Sequence, residues 1–208
     1  METVRAVLAL TVKNGYQIQQ MDIKGAYLNG ILKEKVYMKQ PEGYDDGTGR
    51  VCELIKTLYG LKQSGREWNH KLDSKLKNLG YTRLYSDPCA YIRRNGDNAS
   101  IITVWVDDLL LFASGDDLMQ KMKEEIKASW DVTDMGEPKK IIGIEISHVG
   151  NTVTISQQHY IESILKHENL TDCNPVSTPM DPKVKILLNL DGNEGSRSNY
   201  FAQILGEL

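Results

Sequence analysis

The chain has 208 residues, 40% of them hydrophobic and 25% charged, with a formal net charge of −3 at pH 7. This composition fits one or two compact domains with a real core, and no apolar run reaches membrane-spanning length. The slight acidity excludes a globally cationic nucleic-acid binder, and three scattered cysteines with four scattered histidines exclude a disulfide framework and a Cys/His zinc site.

Taken in chain order, Val4, Val7, Leu8 and Val12 recur at helical spacing and predict an opening helix that ends near Asn14-Gly15. YQIQQMDI alternates polar and apolar residues and predicts a strand with Asp22 near its C-terminal end. GAYLNG reads as a short turn or helix, and KVYMKQPEGY as a strand stopped at Pro41. DDGTGR reads as a loop, and VCELIK as a strand that is a candidate hairpin partner for the one before it. Residues 64–79 form the clearest helix, with Trp68, Leu72, Leu76 and Leu79 on one face and Gly80 just past its end. Ala90–Arg94 and Ser100–Val106 read as strands around Asn95-Gly96, a hairpin signal, and Leu109–Ser114 as a third strand. Asp117–Trp130 predicts a second amphipathic helix with Leu118, Met122, Ile126 and Trp130 inward. IIGIEISHV and NTVTIS predict another hairpin, and Tyr160, Ile161, Ile164 and Leu165 a further helix. Beyond about Asn169, Pro, Ser, Asn and Gly indicate an extended tail or linker, and Tyr200–Leu208 the start of one more helix. Helices mixed with antiparallel hairpins indicate an α+β fold, and the nucleotide cradles of the Walker and GxGxxG types are absent.

Within VWVDDLLLF, Asp107 and Asp108 interrupt an apolar run and join two predicted strands. Read alone, the pair is a hairpin turn kept in water by its charges, and turn statistics favour that reading. The sharper reading is a metal site: two carboxylates at a rigid turn, joined by a third, hold divalent cations for phosphoryl transfer. The local basic runs are Lys62 with Arg66, then Lys71, Lys75 and Lys77, then Arg93 with Arg94. Such runs are more often solvated faces than phosphate grips.

Six stretches stand in a definite order: MDIKGAYLNG, VYMKQPEGY, LYGLKQSGREW, WVDDLLLF, IIGIEI and DCNPVSTPM. Together they resemble the reverse transcriptase domain of copia-type LTR retrotransposons, from about Thr3 to Gly206. The resemblance implies an RNA-directed DNA polymerase with a palm-like antiparallel sheet, helices packed on one face, partial fingers, and a partial thumb or connection region. It implies a palm over residues 1–168, and a linker with the start of the connection over 169–208. Asp22, Asp107 and Asp108 match the family's catalytic carboxylates, holding two Mg2+ ions (Mn2+ as a substitute) with the backbone carbonyl of Ile23. Tyr27 matches the aromatic residue that excludes a ribose 2′-hydroxyl, its bland alternative being a packed core tyrosine. Gly60, Gln63 and Ser64 fall in the block beside the incoming nucleotide. Arg66 and Trp105 fall at template or primer positions, and Ile142 and Gly143 match the turn that grips the primer end. Arg66 is equally a solvated cation at a helix start, and Ile142-Gly143 equally part of an ordinary strand.

The implied partners are an RNA template, a DNA primer, deoxynucleoside triphosphates, and the fingers and RNase H segments of a parent polyprotein, with no membrane. The implied location is intracellular, in a cytoplasmic virus-like particle or the nucleus. Three positions depart from the family: Trp105 stands where tyrosine is usual, and Lys140 and Ile141 where aromatic residues are usual. Lys139 or Lys140 is a surface lysine or, more sharply, a proton donor to pyrophosphate. With a short lead before Asp22 and a thumb that stops at Leu208, the chain is expected to be a truncated piece with weak or no activity alone. The alternative is a non-catalytic palm remnant that binds RNA or a protein. A metal-dependent nuclease would also use clustered carboxylates, but no stretch here points to one.

Overall fold

The computed structural model describes residues 2–150 and 152–177. The chain forms two compact units, Met1–Ser156 and Gln157–Leu208. The first opens with α1 (Glu2–Asn14), β1 (Gln17–Ile23), a short 3-10 helix (Ala26–Asn29), β2 (Ile31–Lys39) and β3 (Val51–Lys56). It continues with α2 (Ser64–Asn78), β4 (Thr82–Arg83), β5 (Ala90–Asn95), β6 (Asn98–Trp105), β7 (Asp108–Ala113) and α3 (Asp116–Lys127). It closes with β8 (Val132–Gly136), β9 (Lys140–Ile141), β10 (Ile144–Val149) and β11 (Thr152–Ser156). The described part of the second unit contains α4 (Gln158–His167). Among the described residues no helix is long and apolar enough to cross a membrane. The helix expected at Tyr200–Leu208 lies outside the described residues.

A six-stranded sheet in the order β4-β5-β6-β7-β1-β8 is the frame of the first unit, and its pairings are antiparallel. The strands β9, β10 and β11 form a second sheet, and β2 with β3 a two-stranded ribbon. The run DLLLFA of β7 shows no polar alternation because both of its faces are covered. Leu109, Leu111 and Ala113 pack with Met21, Ile23 and Ile102 against Trp68, Leu72 and Leu76 of α2 and Met119, Met122 and Ile126 of α3. Leu110 and Phe112 pack on the opposite face with Ile18 and Ile101, against Val7 and Leu8 of α1 and Ile141 and Ile146 of the small sheet. Each such side chain, fully buried, contributes about 1.5–3 kcal/mol of hydrophobic stabilisation.

The α+β architecture is as expected, with three corrections. Helices α2 and α3 share one face, but α1 lies on the other, because a strand apolar on both sides needs cover on both. Helix α3 stops at Lys127 and buries Met119 where Leu118 was expected; Leu118 is half-buried. Trp130 lies past the helix end and meets Trp68 edge-on, ring centroids 5.9 Å apart. The stretch IIGIEISHV is two strands, broken at Ile142 and Gly143, whose φ angles of 49° and 76° make the two-residue turn that pairs Ile141 with Ile144.

Candidate active site

Strand β1 runs beside β7, and the register sets Asp22 directly opposite Asp108. Facing residues in an antiparallel pair carry their side chains on the same face. On the other side of β7, Trp105 pairs with Asp108 and closes the β6–β7 hairpin. The two linking residues are therefore Val106 and Asp107, and Asp108 already belongs to β7. The sequence reading put both aspartates in the turn; the closing pair shifts it by one residue.

Val106 has φ 56° and Asp107 is not left-handed, the pattern of a II′-type turn that normally takes glycine first. A β-branched residue there is strained and persists only where its surroundings hold it. Two elements do so. The Trp68 indole Nε1–H of α2 donates to the Val106 carbonyl at 2.7 Å. The Ile23 N–H of β1 donates to the Asp107 carbonyl at 2.8 Å. In an extended strand one residue's N–H and C=O point to the same edge, so the Ile23 carbonyl also faces the hairpin.

The three carboxylates act on one another electrostatically. The Asp22 carboxyl is raised above the ordinary aspartate value, first by burial and then by the charges of Asp107 and Asp108. The Gln20 amide Nε2 donates to Asp108 Oδ1 at 3.0 Å. Among the described residues no three Asp, Glu, His or Cys side chains meet at one point in a metal cage. The trio is a neighbourhood of hard oxygen donors whose mutual repulsion a divalent cation would relieve, so donor chemistry fits such an ion.

Near the hairpin tip, a cavity of about 230 Å³ is lined by Tyr27, Gly65, Trp68, Trp105 and Val106, among others. The Tyr27 ring lies 4.9 Å from that of Tyr59, in LYGLKQSGREW. Trp105 is 52% exposed and also borders a smaller cavity, about 120 Å³, with Ile142 of the β9–β10 turn. Tyr27 and Trp105 thus meet at one cavity, and Trp105 and Ile142 at another. Gly143 is exposed, beside Ile142 in the same turn.

The remaining positions have local roles. Gly60 has φ 91° and open space where a side chain would stand, so its requirement is backbone conformation and not close approach. Gln63 precedes α2, and its carbonyl accepts the Glu67 N–H at 3.1 Å. Ser64 is turned inward and donates to the Leu58 carbonyl, which closes the loop. Arg66 is paired with Glu67 at 2.8 Å and with Glu34 at 2.9 Å. Of the basic runs, Arg93 is internal: it pairs with Glu125 at 2.9 Å and lies over the Tyr81 ring. Lys77 pairs with Asp73, and Lys71 donates to the Asn29 carbonyl.

Sequence reasoning assigned no site role to Trp68 or Gln20. Trp68 was legible only as a core residue. Gln20 carried a signal, because a polar side chain in the slot between Ile18 and Asp22 faces the same way as buried Leu110 and Phe112.

The family model described as reverse transcriptase (RNA-dependent DNA polymerase) matches residues 1–182. A Pol polyprotein from the Nicotiana tabacum transposon TNT 1-94 is 38% identical over 191 residues, covering 89% of this chain and 14% of that protein. A Pol polyprotein from the Arabidopsis thaliana transposon RE1 is 32% identical over 208 residues, covering 99% and 14%. A transposon Ty5-1 protein of Saccharomyces cerevisiae is 31% identical over 163 residues, covering 77% and 53%. The chain therefore spans about one-seventh of the two plant polyproteins. No solved structure matches. With the family model matched along most of its length, the chain belongs to the reverse transcriptase (RNA-dependent DNA polymerase) family, in its copia-type retrotransposon branch.

Proposed function

We propose that this domain copies an RNA template into DNA by transferring deoxynucleotides to a primer 3′-hydroxyl. The observation that carries the reading is the register of β1 on β7, which sets Asp22 opposite Asp108 and beside the turn residue Asp107. Family members generally depend on a divalent metal; the finer proposal is two Mg2+ ions, with Mn2+ as a substitute. Asp22, Asp107 and Asp108 would hold them, with the Ile23 carbonyl from the same edge of β1. Bound there, such ions lower the barrier by polarising the attacking and leaving oxygens.

The residues of the chain do the positioning. The primer 3′-hydroxyl gives its proton to solvent water, and its oxygen forms a bond to the α-phosphorus as the bond to the departing pyrophosphate breaks. Tyr27 stands where the sugar would lie and excludes a 2′-hydroxyl by bulk. Trp105 and the Ile142-Gly143 turn border the primer side, and Gly60 and Gln63 shape the loop beside the nucleotide. Ser64 acts by closing that loop, and Arg66 by way of its carboxylate pairs, opened or kept on template binding. The partners would be an RNA template, a DNA primer, deoxynucleoside triphosphates, and the fingers and RNase H segments of a polyprotein.

The test is primer extension on poly(rA)/oligo(dT) with Mg2+, by this chain and by a longer polyprotein segment containing it. Extension by either that falls at least 100-fold in Asp107→Asn supports the reading; carboxylate-independent extension overturns it. A second reading, a non-catalytic palm that binds RNA or a protein, is supported by the lack, among the described residues, of three Asp, Glu, His or Cys side chains that converge on one point. Metal-independent RNA binding without extension by either protein would establish it.

A further inference from the structure

Gln20 is an anomaly in its surroundings. It lies mid-strand in β1, opposite Leu110, and is only 4% exposed. Its neighbours on that face, Ile18, Leu110 and Phe112, are apolar and pack against α1 and the small sheet. An aliphatic side chain would suit the slot, and a buried amide is tolerated only where it finds a partner. The register explains which partner is within reach. Asp22 faces Asp108, and Gln20 faces Leu110, so Gln20 and Asp108 are diagonal neighbours on one face. A diagonal of this kind is spanned by a long side chain, and the Gln20 Nε2–H donates to Asp108 Oδ1 at 3.0 Å.

A second feature lies at the same point. The pairing of β1 with β8 shifts register between Gln20 and Met21: Gln20 faces Gly136, whereas Met21 faces Asp134. The extra residue in β8 makes a bulge, a device that re-aims side chains beside active sites.

We propose that Gln20 is a positioning residue for the carboxylate cluster: its buried amide N–H fixes the Asp108 carboxylate through Oδ1 and so sets how tightly the cluster takes a divalent cation. This rests on the polymerase reading above. Hydrogen bonds to a metal-holding carboxylate fix its orientation, and their loss typically weakens metal binding by about 10–100-fold. Gln20 touches neither nucleotide nor reacting atoms in this role.

The test is Mn2+ binding followed by the free-ion paramagnetic resonance signal, on wild type, Gln20→Met, Asp108→Asn, Asp107→Asn and the Gln20→Met/Asp108→Asn double variant. Methionine keeps the volume and removes the donor. The expected result is a dissociation constant about tenfold higher in Gln20→Met, a melting temperature close to wild type, and no further loss when Gln20→Met is added to Asp108→Asn. Wild-type affinity in Gln20→Met, or full additivity in the double variant, overturns the proposal while leaving the polymerase reading intact. Wild-type protein that binds no Mn2+, or binds it unchanged by Asp107→Asn, overturns both. Should Gln20→Met fail to fold, unmutated protein decides: the Gln20 side-chain amide pair must shift with added Mg2+ in the nitrogen–proton NMR spectrum, and a stationary pair overturns the proposal.

Discussion

Asp22 holds its proton more tightly than an ordinary aspartate because burial disfavours its charge and Asp107 and Asp108 repel it. A carboxyl raised in the folded state stabilises the fold only while protonated. That contribution is complete below the ordinary aspartate pKa of about 3.9 and is lost as pH rises through the folded value, in the window just above it. At neutral pH in chelator the ionised Asp22 carboxylate therefore opposes folding. Asp22→Asn, which removes one charge and keeps the shape, should stabilise the metal-free protein at pH 7 by about 0.2–1 kcal/mol, the range of part-exposed charge pairs. In a domain of this size that is a rise of roughly 0.4–4 °C in melting temperature. The gain should vanish near pH 3, where wild type is protonated too. Thermal melts of both proteins in EDTA across pH 3–8 check this, and an unchanged or lower melting temperature at pH 7 refutes it. A side chain retained against stability is what a site built for another ligand requires.

At the scale of elements, the segments around the site meet on a glycine. Gly30 has an ordinary φ of −65°, so its backbone does not demand glycine; its packing does. A Cβ there would stand 2.5 Å from the Thr57 hydroxyl and 3.2 Å from the backbone nitrogen of Trp68. Thr57 cannot retreat: it is buried, its hydroxyl donates to the Tyr27 carbonyl, and its N–H donates to the Gly30 carbonyl at 3.1 Å. The 3-10 helix bearing Tyr27, the chain just past β3, and α2 thus close on one point. Gly30→Ala should cost about 1–3 kcal/mol, the range for overpacking, seen as a lower urea midpoint at unchanged slope; a wild-type midpoint would show that the contact yields freely. Elements with a single apolar stripe or clean alternation, such as α2 and β1, were legible in the sequence because periodicity reports burial. The edge strand β8 was not, since VTDMG buries no side chain fully and offers no face to read. The turn at Ile142-Gly143 was legible only through the motif resemblance, since residue pattern reads straight through an isoleucine in a conformation that isoleucine rarely takes. Of the site, the three aspartates could be named from motif resemblance, whereas the pairing of Asp22 with Asp108 and the clamp of Trp68 on the turn arise only from long-range packing.

Across the whole unit from Met1 to Ser156, stability should be graded, with the carboxylates at the end of its most protected strands. Leu109, Leu110, Leu111 and Phe112 of β7 are fully buried, and the strand is paired on both sides, by β6 and by β1. Their amides have no route to solvent short of opening the sheet. The ribbon of β2 and β3 is the opposite case. It has two strands, its Ile31, Tyr37, Val51 and Ile55 are exposed, and its pairing is irregular between Ile31 and Val36. A two-stranded ribbon is marginal on its own. What ties this one down is its base, through the Thr57 bonds and the Lys33–Glu67 and Arg66–Glu34 ion pairs. The Arg66–Glu34 pair is exposed on both sides and contributes about 1 kcal/mol or less, whereas Lys33 is an exposed cation reaching the buried Glu67 carboxylate. Native-state hydrogen exchange should therefore show β7 amides exchanging only through global unfolding, at the full free energy of roughly 5–15 kcal/mol for a domain. Amides at the far end of the ribbon, near Lys39 and Val51, should exchange through local opening at a small fraction of that value. Raising the salt concentration should speed the ribbon further while leaving β7 unchanged, because screening weakens the ion pairs and not the apolar core. Equal protection of the two elements would mean that the ribbon is held by contacts beyond its base, and the grading proposed here would be wrong.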